Sequence, residues 1–314
     1  GNAVIAPVML PIMASLGVTP TVVATLFKVA GEIGLILGPL TGVTLITEEV
    51  TGLSYGQLMI QAAIPFAIVW LAGAWVGANR AQKRTQGKES YTLGDDVKHL
   101  DQVVITKQQK VTTIAFLLCF VLLVGYGIAT GQGTSYALIV MIVLAAVVAI
   151  FGRIEIDRSV DCITKGVASQ ANMFLIFVSI EVLLNLVTLG GGFDALSNLL
   201  GGLASNSATA VMLVASVVGG FGIEAAAVAE IKIISDMFGG LAVSAGLPMG
   251  CFAVSILAAT RLTGSIYPTS NFAGQLGIAQ CTNTKEALQA AWISVAFAWV
   301  FVIAYAIVGP MILG

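Results

Sequence analysis

Charge is what this sequence has least of. Only 10% of its 314 residues are Asp, Glu, Lys or Arg, while 58% are hydrophobic; a soluble domain carries roughly 25% charged residues. A globular core of this length cannot hide so much apolar surface, so lipid is the solvent for most of the chain. A net charge of −2 leaves no basic footprint for nucleic acid. Histidine is nearly absent, with His99 alone, and residues 57–313 contain no HExxH, no DDxxD and no Gly-Asp catalytic signature. Those gaps exclude the common intramembrane hydrolases, so no enzyme, no metal site and no cofactor is expected. The four cysteines, Cys119, Cys162, Cys251 and Cys281, form no CxxC pair and read as small packing residues. In the opening GNAVIAPVML no Met and no charged n-region precede the apolar stretch, so it does not read as a signal peptide.

What is present is long apolar segments. Residues 57–78, 111–130, 135–152, 171–190 and 287–313 each match the roughly 20 residues a spanning helix needs, and 207–223 is a shorter one. Three further regions, 1–18, 20–56 and 224–284, are apolar but interrupted by Pro, Gly and polar side chains. Asn2, Pro7 and Pro11 are expected to break the first of these. The long polar segment 79–110 holds seven of the fourteen Lys and Arg (Arg80, Lys83, Arg84, Lys88, Lys98, Lys107 and Lys110), which assigns it to the cytoplasm. Its Asp95, Asp96, His99 and Asp101 lack a second cluster to complete a metal shell. In 153–166, charges and apolar residues alternate as in a helix lying along the membrane surface.

Landmarks recur at a nearly constant offset. Pro20 and Pro248 are 228 residues apart, and Pro39 and Pro268, like Trp70 and Trp299, are 229 apart. Secondary transporters commonly carry weak internal symmetry of this kind. It predicts an all-α polytopic membrane protein with inverted repeats, re-entrant hairpins and discontinuous helices. Residues 1–78 are the remainder of the first repeat, 79–110 a cytoplasmic linker and 111–314 the second repeat. Equal repeats imply on the order of 115 further residues before Gly1.

Each second proline marks a break. Proline removes a donor and frees a carbonyl one turn earlier, and the neighbouring Gly38, Gly42 and Gly264 let the chain unwind. In lipid, such backbone survives only where protein or a wet cavity satisfies it. Beside Pro39 stand Thr41 and Thr44; beside Pro268 stand Ser265, Thr269, Ser270 and Asn271. With Arg261 these are the expected substrate ligands. The same offset pairs Glu32 with Arg261. Either the two neutralise each other, or Arg261 meets a substrate carboxylate while Glu32 binds a proton or cation. Glu181 and Asn185, at i and i+4, share a face expected to look inward, as a proton relay or as interhelical hydrogen bonds. GFGIEAAAVAEIKIISDMFGG (220–240) adds Glu224, Glu230, Lys232 and Asp236 in what reads as a re-entrant pair of short helices. Gly38, Pro39, Glu32, Glu181, Asn185, Glu224 and Asp236 are the expected cation- or proton-coupling positions.

YPTSNFAG resembles the Ser-Asn-Thr hairpin-tip motif of divalent anion symporters, here in the order Thr-Ser-Asn, with GPLTGVT as its first-half equivalent. The paired breaks and hairpins resemble the ion transporter superfamily, which includes divalent anion–sodium symporters, citrate symporters, gluconate permeases and sodium/proton antiporters. That resemblance implies elevator-like alternating access, uptake of a small anionic solute coupled to Na⁺ or H⁺, and a homodimer. With no nucleotide-binding motif to supply energy, a cation-coupled secondary transporter of a small organic anion in the bacterial inner membrane is the leading expectation. A Na⁺/H⁺ antiporter is the alternative.

Overall fold

A computed structural model of the chain describes residues 2–91, 106–132, 134–192, 195, 198–199, 207–222, 227–266 and 269–314. The expected all-α polytopic architecture is the one observed, with no strand among the described residues. In order, the helices are α1 (Asn2–Ser15), α2 (Pro20–Leu37), α3 (Gly42–Thr51), α4 (Tyr55–Thr85), α5 (Lys107–Thr130) and α6 (Thr134–Phe151). Then come α7 (Ile156–Leu189), α8 (Ala208–Gly222), α9 (Ala227–Ser244), α10 (Met249–Ile266), α11 (Ser270–Ile278) and α12 (Thr284–Leu313). By length and apolar composition α2, α4, α5 and α12 can each cross a membrane.

Local chemistry explains most of the boundaries. Pro20 opens α2, where its missing N–H costs nothing. Ser54 and Gln57 form a capping box at the start of α4, and Thr106 and Gln109 form one at the start of α5. Asn283 caps α12 by accepting from the Glu286 N–H at 3.2 Å. Two expectations are corrected. Residues 2–15 form one unbroken helix despite Pro7 and Pro11, because a helix packed among others re-satisfies the carbonyls its prolines free. The surface helix expected at 153–166 and the span expected at 171–190 are one continuous helix of 34 residues, α7. No Pro or Gly-rich stop lies between them, so the polar segment simply continues the helix.

Two compact units result: Gly1–Val103 with Leu199–Gly314, and Val104–Asn198. In the smaller unit α5 and α6 pack as a hairpin. The Tyr136 hydroxyl donates to the Leu123 carbonyl at 2.9 Å, and its ring fills the notch at Gly127. In the larger unit the repeat is visible in the element boundaries. α2 and α10 are each 18 residues and begin 229 apart, at Pro20 and Met249. α4 and α12 also begin 229 apart, at Tyr55 and Thr284. The packing follows suit: α2 lies against α4 as α10 lies against α12, α1 against α11 as α9 against α3, and α2 against α11 as α10 against α3. Exchanging the two halves therefore maps these pairings onto one another; α8, which packs on α9, α10 and α12, has no counterpart among the described helices of the first half.

The axis of this exchange runs through the α4–α12 seam. Lipid provides no hydrophobic drive between helices, so close approach of small residues holds them together. Gly73, Ala74, Gly77, Ala78 and Ala81 on α4 meet Ala290, Ala291, Ser294 and Ala298 on α12, all buried. A Cβ at Gly73 would lie 2.7 Å from Ser294 Cα. Early in α4, Met59–Ala63 form a π turn. Pro65 has no N–H to offer the Gln61 carbonyl, and the Tyr305 hydroxyl of α12 donates to that oxygen instead. At the other end of the unit, the Glu89 carboxylate accepts from the Thr21 N–H at 3.2 Å, from the Thr21 hydroxyl at 2.7 Å and from Asn283 Nδ2 at 2.8 Å. One acidic side chain thus ties the first turn of α2 to the cap of α12.

Overpacking the seam is expected to cost about 1–3 kcal/mol. Gly73→Leu should therefore lower the melting temperature in detergent. Gly125→Leu, where a Cβ meets nothing within 4 Å, should leave it unchanged.

Candidate functional site

The first break follows from the proline. Pro39 has no N–H, so the Leu35 carbonyl one turn earlier loses its helical donor. The hydroxyls of Thr41 and Thr44 take its place, at 2.5 and 3.2 Å from Leu35 O. The Thr44 hydroxyl also lies 3.4 Å from Ile36 O, the Tyr55 hydroxyl donates to Leu37 O at 2.7 Å, and the Thr41 N–H donates to Gly38 O at 3.3 Å. Thr41 Oγ1 in turn accepts from the Thr44 N–H at 3.3 Å and so caps α3. Gly38 is fixed by crowding rather than by its dihedrals. Its φ is −71°, but a Cβ there would sit 2.5 Å from Thr41 Cγ2 and 2.7 Å from Gly34 O. Thr41 and Thr44, expected to bind solute, thus hold the opened backbone. Ile36 O and Leu37 O each take one hydroxyl, which leaves each a second lone pair.

The second break separates α10, ending at Ile266, from α11, beginning at Ser270. Thr269 Oγ1 caps α11 by accepting from the Phe272 N–H at 3.4 Å. Asn271 is exposed on α11, its Oδ1 3.5 Å from Gln275 Nε2. Gln275 Oε1 accepts from Asn2 Nδ2 at 2.8 Å, and the same amide donates to the Phe27 carbonyl at 2.5 Å. Pro268, Glu224 and the Ser270 side chain lie outside what is described.

Between the breaks lies a cluster of buried charge. Lys28, Glu32, Glu230, Arg261 and Ser265 are each at most 3% exposed. Lys28 Nζ donates to Glu32 Oε1 at 2.6 Å and to Ser265 Oγ at 2.5 Å. It lies 5.5 Å from the Trp70 ring centroid and 5.7 Å from that of Phe272, within cation–π range of both. The Trp70 indole N–H donates to the other Glu32 oxygen, Oε2, at 3.0 Å. The Ser265 hydroxyl donates to Arg261 O at 2.8 Å, so a lone pair is left to accept from Lys28. Arg261 lies within electrostatic reach of Lys28, Glu32 and Glu230. Among the described residues, two cations and two carboxylates leave the cluster formally neutral. Residues from α2, α4, α9, α10 and α11 all contribute to it.

Of the positions singled out in the sequence, Glu32, Arg261 and Ser265 meet in this cluster. Thr41, Thr44, Gly38 and Pro39 build the first break, and Thr269 caps beyond the second. Asp236 is exposed on α9. Glu181 and Asn185 lie on α7 of the other unit, where both are exposed in the isolated chain. A stripe of polar residues fixes which side chains share a face and says nothing of what covers it. Lys28 was missed, although its i, i+4 spacing to Glu32 inside an apolar run was readable. Trp70 and Phe272 give no sign, before folding, that they enclose an ammonium.

A helical membrane protein whose two broken helices enclose buried, balanced charge has the build of a secondary transporter, in which such helices surround the binding site. The family model described as "Tripartite ATP-independent periplasmic transporter, DctM component" matches residues 2–313, and the chain belongs to that family. It is therefore a multi-pass integral membrane transporter component, not an enzyme, in a family of secondary transporters of small organic acids. No curated protein and no solved structure matches the chain. The family differs from the symporters, permeases and antiporters whose motifs the second break resembles. A homodimer finds no support here, because the family is described as one component of a tripartite assembly.

Removing the donors at the first break should leave the Leu35 and Ile36 carbonyls without their hydroxyl partners, at about 1–3 kcal/mol. Thr44→Val keeps the shape and should lower the melting temperature; Thr41→Val combined with Thr44→Val should lower it further. Glu32→Ala leaves Lys28 buried without its carboxylate, a loss of about 3–5 kcal/mol. It should therefore melt below Glu49→Ala, whose carboxylate is exposed.

Proposed function

We propose that this chain carries a small organic acid across the bacterial inner membrane by alternating access, together with Na⁺ or H⁺, as the membrane-embedded partner of the other components of a tripartite transporter. One observation carries the reading: among the described residues, the charge buried near the two breaks is balanced before any solute arrives. An acid anion entering that cluster adds unbalanced negative charge in a low dielectric, which costs several kcal/mol. A cation entering with it removes the imbalance. Coupling thus follows from electrostatics, with no nucleotide involved.

In this reading Arg261, whose planar fork fits a carboxylate, binds the acid, assisted by Ser265, Thr269, Ser270 and Asn271 around the second break. The first break, with Thr41, Thr44 and the second lone pairs of the Ile36 and Leu37 carbonyls, contributes oxygen ligands for the cation. Exchange of the two halves by elevator-like motion turns the site from one side to the other, as in the superfamily whose breaks this chain resembles.

Reconstitution of the assembled transporter in proteoliposomes tests this. A small organic acid from a panel of pyruvate, succinate and gluconate should accumulate under an inward Na⁺ or H⁺ gradient. Arg261→Ala should reduce uptake more than tenfold, the order of a lost charge-assisted contact, and Arg261→Lys should restore part of it. A Na⁺-dependent pH change with no acid moved would support antiport and overturn the proposal.

A further inference from the structure

The Lys28 ammonium occupies a cradle with the chemistry of a small-cation site. A carboxylate oxygen of Glu32 and a hydroxyl oxygen of Ser265 hold it at 2.6 and 2.5 Å, and two aromatic faces enclose it. These holders do not depend on Lys28 for their positions. The Trp70 indole fixes Glu32 through Oε2, and Ser265 is anchored to the Arg261 carbonyl. If the ammonium leaves, two oriented oxygens remain. Opposite Glu32, Gly264 leaves room: even a Cβ there would be 3.8 Å from Oε1.

We propose that Lys28 and Glu32 exchange partners during transport, the solute carboxylate taking Lys28 and the coupling cation taking Glu32. This rests on the reading of the cluster as the transport site. The physical reason is an asymmetry in what each ligand leaves behind. An acid that draws Lys28 away alone strands Glu32 as a buried, unpaired carboxylate. A cation that takes Glu32 alone strands Lys28. When both bind, every charge has a partner and the pair opens only once. The two ligands therefore bind cooperatively, and by linkage each raises the affinity of the other by the same factor. Lys28 is thus a positioning residue for coupling, in addition to any contact it makes with solute.

Two measurements test the exchange. The first needs no acid. At fixed pH, Na⁺ should stabilise Lys28→Met against heat more than it stabilises the wild-type chain, because the vacated cradle accepts the ion. The extra stabilisation should vanish in Lys28→Met combined with Glu32→Gln and should be smaller with K⁺. Equal Na⁺ responses in all three proteins would overturn the proposal. The second uses the neutral pair alone, which leaves no stranded charge if Lys28→Met by itself fails to fold. In the assembled transporter, Na⁺ should lower the apparent KM for the transported acid on the order of tenfold in wild type. That factor should fall to about one in the double variant, whose melting temperature is close to wild type. A purely structural ion pair would leave the factor intact and sink the idea. If wild type moves no acid, the functional reading fails, while the thermal measurement still decides this one.

Discussion

A carbonyl that has lost its donor inside a membrane has no water to turn to, and the larger unit is organised around that constraint. Pro39 frees Leu35 O and Pro65 frees Gln61 O, and in each case a hydroxyl from elsewhere in the fold donates to the oxygen. Thr41 and Thr44 do so for the first, Tyr305 for the second. The same rule extends to charge. Lys28, Glu32, Glu230 and Arg261 share one buried place because none could be buried singly. Small-residue packing along α4 and α12 brings the halves close enough for both kinds of pairing to form.

The constraint also distributes the work between the halves. The first supplies the ammonium and carboxylate from one helix face, a turn apart, and an indole that holds the carboxylate. The second supplies the guanidinium with the Glu230 carboxylate, the hydroxyl facing the ammonium and the phenyl ring covering it. The backbone pattern is symmetric under exchange, but the side chains are not. Each half brings one cation and one carboxylate, but they are held differently: Lys28 and Glu32 as a bonded pair one turn apart, Arg261 and Glu230 from separate helices.

Much of this was readable before folding. The prolines at a fixed offset predicted two discontinuous helices, and boundaries such as Pro20 and Met249 keep that offset. Glu32 and Arg261 were paired by it and do meet in one cluster. Lys28 escaped because attention to charges at equivalent positions passes over a charge with no counterpart; Leu257 stands at the matching place. The backbone role of Thr41 and Thr44 was not legible, because composition cannot distinguish a hydroxyl that binds a guest from one that also holds its own backbone. The continuity of α7 was hidden for a similar reason. Alternating charge looks the same in a surface helix and in the first turns of a longer one.

The π turn in α4 has a consequence for chain length. Its five residues absorb one more position than an ordinary helix would, while the flanks stay in phase. On one flank Tyr55 reaches Leu37 O; on the other Trp70 reaches Glu32. A residue deleted between Met59 and Ala63 would convert the bulge to regular helix with both contacts still aligned. The same deletion anywhere between Ile64 and Trp70 would swing one flank about 100° around the axis. Indels in this helix are therefore tolerable at one address only, and a length difference there between related chains would be silent at the cluster.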